Sequence, residues 1–260
     1  RTDTEMHAHL LKYDTDYGRF PHSIETNNGH IVINDQAVIK VFKNDNPDSI
    51  PWDEAEVDVV IEATGQFKDK KSAEMHMKNN SKVKKVIITA PALDEDITII
   101  MGVNQKLYDA EQHHIISAGS CTTNCIVPMI KVLHDNFEVT NGMMTTIHSY
   151  TRDQNLVDSK HKDLRRARAA ASNIIPTSTG AANAISKIIP ELENKINGMS
   201  FRVPTSTVSV VDLVTTLKKH PSPDDINNAF YEVAKNEMNG YLFFESEELV
   251  SSDFKKHSAS

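Results

Sequence analysis

The residues best suited to covalent chemistry lie in Ser117-Ala118-Gly119-Ser120-Cys121-Thr122-Thr123-Asn124-Cys125, where a short apolar strand ends in small residues and a helix begins. A thiol at a helix N-terminus meets unpaired backbone N–H groups and the positive end of the dipole, and both stabilise the thiolate. The hydroxyls of Ser120, Thr122 and Thr123 suit capping of that helix, and the same groups suit an anion bound there. By spacing alone, two readings of Cys121 stay open, a nucleophile and an inert buried thiol. Cys125 lies one helical turn further on the same side and is expected to pack. Pro128 removes a backbone donor, which predicts a kink or local adjustment near Asn124.

A nucleophilic cysteine needs a partner that takes up protons, and His148 in Thr145-Thr146-Ile147-His148-Ser149-Tyr150-Thr151 is the best placed of the twelve histidines. At the end of an apolar strand a side chain enters a cleft while its backbone stays rigid. Taken alone, a histidine such as His148 is more often a satisfied structural residue. His113, His114, His134 and His161 stand in polar surroundings and read as surface residues.

The elements that must position these groups differ between the two halves of the chain. Up to about residue 120, β-branched runs at Val57–Ile61, Val83–Thr89, Ile97–Met101 and Ile115–Ser117 alternate with helical stretches such as Lys68–Asn80, which favours a parallel sheet covered by helices. After Asn141 come strand-like runs at Met143–Ser149 and Thr207–Leu217. In the second, Val208, Val210 and, after a slip, Leu213 and Leu217 alternate with polar residues, as in a sheet with one covered face. A late helix is legible from its start: Ser222 caps, Pro223 suits the first position, and Asp224 and Asp225 favour the positive dipole end. Ile226, Phe230 and Val233 then share its core-facing side. The expected fold class is α/β, a partial Rossmann-like parallel-sheet domain over residues 1–120, then an α+β catalytic domain with a mixed or antiparallel sheet over residues 121–260.

Composition narrows the function. A chain of 260 residues with 39% hydrophobic side chains can bury one large or two modest cores. A net charge of -8 argues against a sequence-independent hold on nucleic acid, so Arg165, Arg166 and Arg168 are not read as a nucleic-acid patch. No apolar run approaches the roughly 20 residues that span a bilayer. Two cysteines make no disulfide scaffold, and a reducing, cytoplasmic compartment with a small-molecule partner fits best.

Five blocks then resemble the glyceraldehyde-3-phosphate dehydrogenase family in identity, order and spacing: Ser-Cys-Thr-Thr-Asn-Cys at 120–125, His-Ser-Tyr-Thr at 148–151, His-Lys-Asp-Leu-Arg-Arg-Ala-Arg at 161–168, Ser-Thr-Gly-Ala-Ala at 178–182 and Arg-Val-Pro-Thr at 202–205. Leu10–Asp14, Glu62–Gly65, Ala90-Pro91 and Met101–Asn104 extend the likeness over essentially the whole chain. The resemblance implies phosphorylating oxidation of glyceraldehyde 3-phosphate to 1,3-bisphosphoglycerate through a thioester on Cys121, with His148 as acid and base. It implies that Thr151 and Arg202 hold the substrate's phosphate and that Ser120, Thr122, Thr179 and Gly180 receive inorganic phosphate. It places Thr64, Gly65 and Thr89 at the cofactor, NAD with NADP as the alternative because Ser159-Lys160 stands where NAD-specific members carry Leu-Pro. It also makes residues 160–168 a loop that reaches across subunits of a homotetramer. No metal is implied.

The chain departs from the family's pattern in ways that carry alternatives. Every glycine is isolated, so no G-x-G-x-x-G occurs, and neither the acidic ribose ligand nor the family's closing strands and nicotinamide-binding Asn are in view. The chain is therefore expected to be a fragment with weak dinucleotide binding, and an inactive family fragment, an erythrose-4-phosphate dehydrogenase and a cofactor-free cysteine acyltransferase stand as alternatives. Ala118-Gly119 replaces a more usual Asn-Ala, and Asn183 a common Lys.

Overall fold

The computed structural model describes residues 3–259. The first helix, α1 (Thr4–Lys12), starts where the Asp3 carboxylate accepts from Met6 N at 2.8 Å. Two small antiparallel sheets follow, β1 (Tyr13–Asp14) with β2 (Gly18–Arg19), then β3 (Ile24–Asn27), β4 (His30–Ile33) and β5 (Ala37–Ile39). Helix α1 closes on the second sheet through Ala8, Ile24 and Ile31. The sequence pattern had no foresight of this antiparallel region, because strands of two to four residues are too short to show a period.

The expected parallel sheet is present. Its strands are β6 (Val59–Glu62), β7 (Lys85–Ile88), β8 (Ile97–Thr98) and β9 (Ile115–Ser117), in the order β6-β7-β9-β8 and parallel throughout. Between β6 and β7 the chain forms two short helices, α2 (Lys70–Ala73), capped by Asp69, and α3 (Met75–Lys78). Val60, Ala73, Val83, Val86, Ile88 and Ile115 bury the sheet against them. The run at Ile97–Met101 makes only two residues of strand. Asn104 takes over from there, its side chain accepting from Ile100 N and donating to Thr98 O, both at 2.8 Å.

The second half is built on α4 (Cys121–Phe137) and a mixed sheet of β10 (Val139–Ser149), β11 (Ile175–Thr177), β12 (Ile196–Val203) and β13 (Val210–Leu217), ordered β11-β12-β10-β13, with α5 (Ala181–Ile188) and α6 (Pro223–Lys235). Ile126, Val127, Ile130 and Leu133 of α4 meet Met144, Ile185 and Ile196 in the larger core, which Ile226 and Phe230 of α6 complete. The Ser222 cap of α6 closes a reciprocal capping box with Asp225. Gly198 is fixed by close packing, since a Cβ there would lie 2.6 Å from Met144 Cγ.

Helix α4 runs as one element through Pro128, in a core that buries Val127 and Pro128 themselves. Two local expectations need correction. The covered face of β13 is Val211, Leu213, Thr215 and Leu217, so Val210 belongs to the outer face and is 51% exposed. Val208 lies before the strand at a φ of 65°, which breaks the period and explains the apparent slip. Of the four histidines read as surface, only His114 is exposed. His113 and His134 are half-buried, and the His161 side chain is 13% exposed, its Nδ1 accepting from Asp163 N.

Candidate active site

Parallel pairing of β10 with β12 puts His148 directly opposite Arg202, and the turn from β9 into α4 brings Cys121 up to the end of β10. That turn depends on Gly119, whose φ of +69° lies in the left-handed region and where a Cβ would press on Ile100 Cδ1 at 2.9 Å. Gly119 thus has a steric reason. Ser120 caps α4, its Oγ accepting from Thr123 N at 3.0 Å and lying 2.7 Å from Thr123 Oγ1. Asn124 ties the same turn down by donating to Ala118 O and Ser120 O.

Cys121 Sγ lies 3.3 Å from His148 Nε2. The hydrogen bond to His148 is the largest influence on the thiol and brings its pKa from the ordinary value near 9 to about 7, against the opposing effect of burial. Burial and the Cys121 charge push the Cys125 thiol the other way, upward. The sequence leaves Cys121 with two readings, and the structure separates it from Cys125 through surroundings that spacing does not encode. Thr122 is buried beside it, with Oγ1 4.0 Å from Cys121 Sγ.

On its far side His148 Nδ1 lies 2.7 Å from Ser149 O, an acceptor, and 2.8 Å from Arg202 Nη1, a donor, while Nε2 faces Cys121. Arg202 Nη1 also donates to the Ser149 carbonyl at 2.9 Å and reaches Thr151 Oγ1 at 3.5 Å. Arg202 Nε is buried without a partner. Burial first, then the neighbouring Arg166 charge, lowers the Arg202 pKa, which marks a cation short of negative charge. An anion placed there relieves both. Arg166 went unassigned in the sequence reading. It donates through Nε to Thr177 Oγ1 at 3.0 Å and pairs with Asp153, and nothing in Leu-Arg-Arg-Ala-Arg distinguishes it from its neighbours before folding.

Thr179 and Gly180 stand at the start of α5, where Thr179 Oγ1 accepts from Ala181 N at 3.2 Å and open space lies where a Gly180 Cβ would be. Cys121, Cys125 and His148 face a cavity of about 570 Å³ whose far wall includes Val210, Leu249 and Phe254.

Thr64, Gly65 and Thr89 sit apart from this cluster, just beyond the carboxyl ends of β6 and β7, where open parallel sheets receive nucleotides. Gly65 has a φ of +73° with open space above it, a backbone cradle that a side chain would fill. Thr89 is exposed, its N–H donating to Glu62 O. These features fit a dinucleotide. Among the described residues no cluster of His, Cys, Asp or Glu suits a metal ion, and no helix is long and apolar enough to cross a membrane.

Comparison with known proteins matches residues 120–260 to the model of the glyceraldehyde 3-phosphate dehydrogenase C-terminal domain and residues 1–70 to that of its NAD binding domain. The chain is 51% identical over 259 residues to glyceraldehyde-3-phosphate dehydrogenase 1 of Bacillus cereus, an alignment covering 100% of the chain and 77% of that protein. It is 50% identical over 253 residues to the Geobacillus stearothermophilus glyceraldehyde-3-phosphate dehydrogenase, covering 97% of the chain and 75% of the relative. With glyceraldehyde-3-phosphate dehydrogenase 2 of Streptomyces avermitilis it shares 51% over 251 residues, 96% of the chain and 74% of the relative.

Proposed function

The chain belongs to the glyceraldehyde-3-phosphate dehydrogenase family, and from that premise we propose that Cys121 is the nucleophile and His148 the proton-transfer partner of its reaction. That reaction is the NAD-dependent, phosphorylating oxidation of glyceraldehyde 3-phosphate in glycolysis. One observation carries the assignment of roles: a thiol at a helix N-terminus, 3.3 Å from an imidazole nitrogen, with its pKa brought to about 7.

The steps follow from the groups present. The Cys121 thiol gives its proton to His148 Nε2, the thiolate attacks the aldehyde carbon, and the resulting oxyanion, met by the Cys121 N–H, takes that proton from the His148 imidazolium to become a hydroxyl. His148 Nε2 takes the hydroxyl proton, and the Nδ1 bond to Ser149 O steadies the charged ring. Thr64, Gly65 and Thr89 would hold NAD, which when bound would accept the hydride from the Cys121-bound carbon and so leave a thioester on Cys121. Inorganic phosphate, received by Ser120, Thr122, Thr179 and Gly180, then displaces the Cys121 sulfur to give the acyl phosphate. Arg202 and Thr151 hold the substrate's own phosphate, and the unpartnered Arg202 Nε supports that role. Cys121→Ser is expected to abolish dehydrogenase activity while leaving NAD binding intact, and retained turnover would remove Cys121 from the mechanism. A higher kcat/KM for erythrose 4-phosphate than for glyceraldehyde 3-phosphate would reverse the choice of aldehyde.

The halves divide at residues 120 and 121, where β9 has ended and α4 begins. Assembly as a homotetramer is supported by the apolar side chains of Leu156, Val157 and Leu164, 81%, 67% and 85% exposed. Sedimentation at the mass of a single subunit would contradict it. Two free cysteines support a reducing, cytoplasmic setting.

A further inference from the structure

Beneath the cofactor loops lies a buried polar chain that the catalytic mechanism does not use. Glu62 and His76 are 3% and 4% exposed. The His76 ring is placed by two aromatic neighbours and one carboxylate. Trp52 Nε1 lies 3.2 Å from His76 Nδ1, Phe67 meets the ring edge-on at 6.4 Å, and Glu62 Oε2 lies 3.0 Å from His76 Nε2. An indole N–H only donates, so His76 Nδ1 must accept, and the ring's one remaining proton sits on Nε2 and points at Glu62. The ring is thereby held in one orientation between a donor and an acceptor.

Glu62 is the hub on the other side. Its Oε1 accepts from Thr64 N at 2.8 Å and from the Thr64 hydroxyl in a short contact, while Thr64 Oγ1 in turn accepts from Gln66 N at 3.1 Å. The Glu62 backbone carbonyl accepts from Thr89 N at 3.1 Å and Thr89 Oγ1 at 3.3 Å. One residue therefore ties down the turn that carries Gly65 and also the start of the loop after β7. With the Thr64 hydroxyl committed to Glu62, that turn presents to a ligand its backbone and the open space over Gly65.

We propose that Glu62 and His76 are positioning residues for the cofactor, the chain Trp52–His76–Glu62–Thr64 fixing the 64–66 turn in its receptive shape before NAD arrives. The proposal rests on Thr64 and Gly65 forming part of the NAD site. Three donors face the Glu62 carboxylate, and replacing one of its oxygens by an amide NH2 leaves a donor without an acceptor, either at Thr64 or at the buried His76 Nε2.

The test is NAD affinity by calorimetry, on protein expressed from its own gene, with alkylation of Cys121 in the absence of NAD as the check on folding. His76→Gln keeps one acceptor for Trp52 and one donor for Glu62, and its affinity is expected within about threefold of wild type. His76→Phe keeps the ring and loses both bonds, and roughly tenfold weaker binding is expected, as for Glu62→Gln. Wild-type affinity in His76→Phe, or equal weakening in both His76 variants, would show that packing alone acts there and overturn the proposal. Should Glu62→Gln not fold, the His76 pair decides by itself. Gly65→Val fills the cradle and separates the two levels of the argument. Full NAD affinity in that variant would remove the site itself and the proposal with it, whereas lost affinity there with an unaffected His76→Phe would remove only the positioning role.

Discussion

His76 in the parallel-sheet half and His148 at the end of β10 are both buried, 4% and 8% exposed, yet their hydrogen-bond surroundings are opposite in kind. His76 has a fixed donor, Trp52, on one nitrogen and a fixed acceptor, Glu62, on the other, so its single proton has one place to be. His148 Nδ1 lies between an acceptor, Ser149 O, and a donor, Arg202 Nη1, and its Nε2 faces a thiol that titrates near neutrality. A ring satisfied at both nitrogens by groups that do not exchange protons is a strut. A ring with one nitrogen open to an exchanging partner can do acid–base work. Burial does not distinguish the two, and their partners do.

The sharpest way to break this comparison is to remove the exchanging nitrogen. His148→Asn is expected to lower kcat by about 10²–10⁴-fold, the usual range for a lost acid–base group. A fall of less than about tenfold in single-turnover kinetics would reduce His148 to a placement role. The thiol itself supplies the next largest effect. Alkylation of Cys121 is expected to rise with pH through about 7 and then level off, because the thiolate prevails above its pKa. Removing the His148 hydrogen bond takes away the main cause of the lowered pKa, so in His148→Asn the rise moves upward, toward the ordinary thiol value near 9. His76 replacements, acting on the other half, leave the pH of that rise in place, and a comparable shift there would erase the distinction. The smallest effect concerns the turn that delivers Cys121. Gly119→Ala forces a Cβ against Ile100 at a positive φ and is expected to cost roughly 1–3 kcal/mol, read from the urea midpoint. An unchanged midpoint would mean the turn adjusts freely.

Strands β6, β7 and β9 and helix α6 were legible because each follows a simple rule, either a β-branched run or a cap followed by helical spacing. Helix α4 was legible at its start for the same reason, but its passage through Pro128 was not, since the core that holds it there is assembled from β10, α5 and β12. The face of β13 was misread because Val208, apolar and β-branched, lies outside the strand in a left-handed conformation that sequence does not announce. Arg166 and Glu62 were missed as organising residues. One is hidden among similar charges and the other inside an apolar run, and their partners lie at residues 153 and 177 and at residue 76.

Residue type and order alone determined the family, the α/β class, and Cys121 and His148 as candidate reactive residues, because a nucleophile at a strand-to-helix turn is a local pattern written in consecutive residues. The tertiary structure decided which thiol is activated, which partners each histidine meets and where a buried guanidinium nitrogen is left without a partner. Those properties depend on distances of about 3 Å between residues tens of positions apart, such as the 3.3 Å from Cys121 to His148 and the 3.0 Å from Glu62 to His76. Only strand register and packing set such distances.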